Sequence, residues 1–71
     1  MILTDGVHLV SDQSLTDLHA FAECIGLKRR WFQDKRLPHY DMTVAWRAKL
    51  AERMGARRVS VRELVRRMVR G

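Results

Sequence analysis

Three β-rich runs alternating with three helical segments predict a small α/β domain. The expected order is β-α-β-α-β-α, a short and mostly parallel sheet of about three strands with helices in two or three layers. Each helical segment is bracketed by capping residues and followed by a glycine or a run of arginine, and the segments between are β-branched or aromatic. The chain has 71 residues, which suits one domain, residues 1–71, and leaves no room for a second.

Ile2-Leu3, the turn signal Thr4-Asp5-Gly6, and Val7-His8-Leu9-Val10 read as a first strand, either bent or folded into a tiny hairpin. Ser14-Leu15-Thr16-Asp17 has the form of a capping box. Leu15, Leu18, Phe21, Ala22 and Ile25 then follow at helical spacing, and Gly26 stops that helix. Arg30-Trp31-Phe32-Gln33 is bulky enough for a second strand, with Trp31 and Phe32 on opposite faces and at least one of them in the core. Asp34 to Pro38 is a loop that runs on into His39, Tyr40 and Asp41. A helix capped by Asp41 or Thr43 extends through Met54 to Gly55, and Arg57-Arg58-Val59 is a third, very short strand. Ser60-Val61-Arg62-Glu63 is a full capping box. Beyond it Val61, Leu64, Val65, Met68 and Val69 fill an arc of about 140° on a last, amphipathic helix.

The formal charge of +6 is unevenly placed. Residues 1–41 hold five Lys/Arg against six Asp/Glu, and residues 42–71 hold nine against two, eight of the nine being arginine. An anion-binding second half would look like this, and so would a plain solvated helix face. The single cysteine, Cys24, excludes an internal disulfide scaffold and a cysteine metal cluster. Neither a signal peptide nor a run of about 20 apolar residues is present, so the expectation is a cytoplasmic protein without a membrane partner.

In a parallel sheet all strand-to-helix loops emerge at one edge, where helix N-termini favour phosphate or carboxylate. That edge would gather Asp12, His39, Tyr40, Asp41 and Arg47 into a ligand-binding pocket. His39 would serve as acid, base or phosphate donor, with Tyr40 as a stacking platform. The plainer reading makes Asp41 a helix cap, Tyr40 a loop anchor and His39 a surface residue. Arg47 falls inside an apolar stripe, so it either reaches Asp41, Asp12 or an anion, or snorkels past its neighbours. Catalytic candidates are His39, Asp41 and Asp12. A divalent metal has weak candidates in His8, Asp12 and His39, with His19, Asp5 and Asp41 to add if folding gathers them; no His-x-x-x-His spacing is present. Nucleic acid would meet Arg62, Arg66 and Arg70, with Arg29 and Arg30 beside Trp31, which either stacks on a base or packs in the core.

Several of these pieces together carry a resemblance. They are His8-Leu9-Val10-Ser11-Asp12, Leu18-His19-Ala20-Phe21-Ala22 with Gly26-Leu27, Arg30-Trp31-Phe32-Gln33, His39-Tyr40-Asp41, Arg47, Gly55-Ala56 and Val61-Arg62-Glu63-Leu64. The chain resembles, nearly end to end, a bacterial and phage family of unknown function, DUF4031. In that family a longer, Trp-rich segment often precedes the His-Leu motif, where this chain has Thr4-Asp5-Gly6. The resemblance implies that His8, Asp12, His39, Tyr40, Asp41 and Arg47 belong to a family pattern, and it names no reaction.

Three functions fit the sequence. The first is a binding module for a phosphate-bearing ligand, nucleic acid or nucleotide. The second is a small hydrolase or nuclease using His39 with Asp12 and Asp41, with or without a divalent metal. The third is a phage or bacterial protein-interaction factor. A homodimer is compatible with each.

Overall fold

The computed structural model describes residues 1–68, so Arg70 and the end of the expected last helix lie outside it. Five strands form one sheet: β1 (Ile2–Thr4), β2 (His8–Ser11), β3 (Phe32–Gln33), β4 (His39–Asp41) and β5 (Arg57–Arg58). Three helices accompany them, α1 (Leu15–Cys24), α2 (Ala45–Arg53) and α3 (Val61–Arg67), with a single 3-10 turn at Arg29–Trp31. The sheet order is β3-β4-β2-β1-β5.

The class is α/β as the sequence predicts, but the sheet is mixed and five-stranded. Only β1 and β5 run parallel, and the other three pairings are antiparallel. The reason is local. Three residues, Asp5 to Val7, join β1 to β2, and Gly6 takes a φ of 101° there. A connection that short closes only an antiparallel hairpin, whereas a parallel pair needs a crossover of a dozen residues or more. Of the two readings of the first segment, the tiny hairpin is the one observed, and it makes two strands. His39-Tyr40-Asp41, expected as loop, is the other added strand. Of the expected second strand only Phe32 and Gln33 are extended; Arg30 and Trp31 belong to the 3-10 turn.

The sheet sits between two helical layers. Leu9, Tyr40 and Ile2 point toward α1 and α2, where they pack with Leu18, Ala22, Ala48 and Ala51. Leu3 and Val10 point the other way, against Leu64 and Met68 of the α3 layer. Alternation along β2 and β4 decides which side chains reach which layer, since neighbours on a strand face opposite sides. Ser14 and Ser60 cap α1 and α3 as expected, each accepting a backbone N–H three residues on. By contrast α2 starts at Val44 with no side-chain cap, so neither Asp41 nor Thr43 serves that role. Among the described residues no helix is long and apolar enough to cross a membrane.

Candidate functional site

The antiparallel pairing changes which residues meet. His8 lies directly opposite Asp41, so the end of β4 sits beside the start of β2, and the turn into α1 leaves from the far edge. The loops after β4 and β5 share one edge of the sheet; the loop after β2, which carries Asp12, does not. The pocket expected from a parallel sheet, with Asp12, Tyr40 and Arg47 joining His39 and Asp41, is therefore not assembled.

Each outlying residue has a different partner. Asp12 binds the terminal amine at 2.9 Å and Arg67 at 3.0 Å, and the amine foremost, with Arg67 adding to it, holds its carboxyl below the usual range against the opposing effect of burial. Tyr40 is buried on the α1 side, where its hydroxyl meets His19 Nδ1 at 2.8 Å. Burial pushes that hydroxyl's pKa up, and burial with Arg29 nearby pushes His19 down. Arg47 snorkels: its Nε donates to the Ile25 carbonyl at 3.2 Å, and its guanidinium lies against the rings of Trp46 and Trp31. Of the arginines named for nucleic acid, Arg66 pairs with Glu63 on α3, and Arg29, Arg30 and Arg62 are exposed.

His8, His39 and Asp41 are what the fold does bring together. His39 and Asp41 flank Tyr40 on β4 and so share the sheet face turned to α3, while His8 projects from the paired position on β2. One ligand-type atom from each lies within 4.8 Å of the other two. His39 Nε2 is 3.3 Å from Asp41 Oδ1, and His8 Nε2 is 3.7 Å from the same oxygen. Side chains of His8 and Asp41 are 40% and 41% exposed and that of His39 22%, so the cluster faces solvent.

Both imidazoles are held from behind. His39 Nδ1 lies 2.7 Å from the Leu37 carbonyl oxygen. A carbonyl can only accept, so Nδ1 carries the proton and donates it. His8 Nδ1 lies 2.8 Å from Asp5 Oδ2, and the other Asp5 oxygen accepts from the backbone N–H groups of Val7 and His8. Burial alone would raise the Asp5 pKa, but these hydrogen bonds and the nearby imidazole outweigh it and lower it. An ionised Asp5 likewise fixes the proton on His8 Nδ1. In their neutral forms both rings therefore turn an Nε2 lone pair toward the Asp41 carboxylate.

Beside the cluster runs a groove of about 140 Å³ lined by Asp5, His8 and His39 at one end and otherwise by apolar side chains, Val10, Leu37, Val61 and Val65 among them. The sequence offers His8 and His39 as metal candidates, with Asp41 to add if folding gathers it, but it places His39-Tyr40-Asp41 in a loop and so does not foresee their convergence. It gives no sign of the groove, which arises where α3 crosses the sheet.

Comparison with known proteins yields one family match. Searches of curated proteins and of solved structures return no match. Residues 5–71, essentially the whole chain, match the family described as a protein of unknown function, DUF4031. That span takes in His8, His39, Asp41 and the Asp5 that orients the first of them, and on its extent the chain belongs to the DUF4031 family.

Proposed function

We propose that this domain binds a divalent transition metal through His8 Nε2, His39 Nε2 and Asp41, and uses it for metal-assisted hydrolysis. The observation that carries the reading is the convergence of three acceptors. Two lone pairs and a carboxylate repel one another unless a cation sits among them, and the tautomer locks on both rings leave no N–H to do it at neutral protonation. A hydrogen-bonded Nδ1 behind a free Nε2 is also the arrangement that orients metal-ligating histidines generally.

The spacings suit the chemistry. Ligand atoms about 2.0–2.2 Å from a tetrahedral zinc ion lie about 3.3–3.6 Å from one another. Two of the distances here, 3.3 and 3.7 Å, are already near that, so side-chain adjustment alone would close the site. Two imidazoles and one carboxylate are a donor set for zinc or a neighbouring divalent ion, and three protein ligands leave a position for water. Metal-bound water ionises near neutral pH and becomes a nucleophile. The strong positive charge favours a phosphate ester among the anionic substrates, and a cytoplasmic setting fits the exposed free thiol of Cys24.

Chelator-stripped protein titrated with Zn²⁺ and Co²⁺ tests this. The expected result is one equivalent bound, with the intense visible bands of four-coordinate Co²⁺. His39→Ala and Asp41→Asn should abolish binding while far-ultraviolet circular dichroism stays unchanged. If wild type binds neither ion at micromolar concentration, the proposal is wrong. Should metal bind without turnover on phosphodiester or carboxylic ester panels, the hydrolytic part fails and a metal-binding module remains.

A further inference from the structure

On the opposite side of the sheet, two tryptophans stand in the open next to unpaired cations. Trp46 on α2 is 59% exposed and Trp31 on the 3-10 turn is 38% exposed. The Arg47 guanidinium carbon lies 4.7 Å from the Trp46 ring centroid and 5.7 Å from that of Trp31, and Lys28 Nζ is 5.8 Å from the Trp31 ring. Arg47 is itself pinned by its bond to the Ile25 carbonyl, so the two rings are held with a fixed cation between them. Trp46, Lys49, Leu50 and Arg53 line a shallow depression along α2, their spacing of three and four residues placing them on one helix face.

This face carries charge with nothing opposite it. Among the described residues, Lys28, Arg30, Lys49 and Arg53 have no carboxylate partner, and Glu52, the one acid of α2, is turned to Arg58. Exposed indoles beside free cations are complementary to a ligand that has flat π faces and regularly spaced negative charge. Base–aromatic stacking with phosphate neutralisation is the combination by which single strands are held without sequence preference. A duplex offers no such fit, because its bases are already stacked on each other and only its phosphates face outward.

We infer that the α2 and 3-10 face, centred on Trp46, Arg47 and Trp31, binds single-stranded nucleic acid. Bases stack on the two indoles, while Lys28, Arg30, Lys49 and Arg53 meet phosphates. The surface is separate from the His8–His39–Asp41 cluster, and neither proposal needs the other.

A labelled oligothymidylate of about 12 nucleotides, within the usual footprint of such surfaces, is the probe. Binding should quench tryptophan fluorescence and should weaken with salt, each cation removed lowering the slope of log affinity against log salt by about 0.7 for a single strand. Trp46→Ala should weaken binding about 10-fold or more, Trp46→Phe should retain most of it, and Lys49→Gln with Arg53→Gln should flatten the salt slope. Trp46 is too exposed for its loss to unfold the protein, and circular dichroism of both Trp46 variants checks this. His39→Ala should bind as wild type, which separates this test from that of the metal site. Equal or tighter binding to the matching duplex, unchanged affinity in Trp46→Ala, or binding to anionic lipid vesicles and not to the oligonucleotide would each overturn the inference.

Discussion

Asp5 shows how much of the candidate site rests on a residue that does not belong to the converging three. Its side chain is almost wholly buried, it accepts three hydrogen bonds, and one of these orients His8. Replacing it by Asn keeps the shape but removes the charge that fixes the proton on His8 Nδ1. Substituting such an outer partner weakens metal affinity by about 10–100-fold in comparable sites. Asp5→Asn should therefore raise the zinc dissociation constant by that factor, measured by competition with a chromophoric chelator, while Asp12→Asn leaves it unchanged. Equal constants for Asp5→Asn and wild type would show that the tautomer lock is idle. The sequence puts Asp5 among the metal candidates for its chemistry alone; its role depends on the hairpin turn that folds it back over β2.

At the scale of elements, helices were legible and strand pairing was not. Ser14 and Ser60 are visible as caps because a cap acts within four residues, and both accept the expected backbone N–H. Ser60→Ala should cost about 0.5–2 kcal/mol, read as a lowered urea midpoint at unchanged slope, because the first-turn donor of α3 loses its acceptor. Val44→Ala, at the uncapped start of α2, should cost less, there being no side-chain bond to lose. Strands of two to four residues leave too little pattern to separate from a polar loop, which is why His39-Tyr40-Asp41 reads as a cluster of chemistry before it reads as β4. The hairpin of β1 and β2 is one of two readings the sequence allows, but the parallel sheet expected around it hides the antiparallel register that sets His8 against Asp41. Trp46 escapes notice for another reason: a tryptophan in a helix reads as core, and only the packed structure shows it outside.

For the whole molecule, the response to acid follows first from His19, partly buried away from the cluster, and then from two carboxylates. Burial and Arg29 depress the His19 pKa below its ordinary 6.5, with Glu23 and Asp34 opposing weakly. Because the unfolded chain then takes up the proton first, the folded state is favoured above pH 6.5 and loses that advantage as pH falls toward the depressed value. Asp5 and Asp12, lowered from 3.8, add a second loss only at more acid pH. Urea midpoints of metal-free protein should thus decline as pH drops below about 6.5, and His19→Gln should flatten that first decline while leaving the second. A decline of equal steepness in the variant would place its origin elsewhere.

The rim of the sheet beyond β1 is formed by β5, two residues long, both arginine and both exposed. Unpaired backbone at a sheet margin ordinarily invites a further strand from a neighbouring chain. Here a second copy pairing its own β5 edge to edge would bring four guanidinium groups together, those of Arg58 each with a nearby Glu52, so that contact is opposed by net positive charge. Concentrated stocks should tolerate storage at low ionic strength better than at high, where that repulsion is screened.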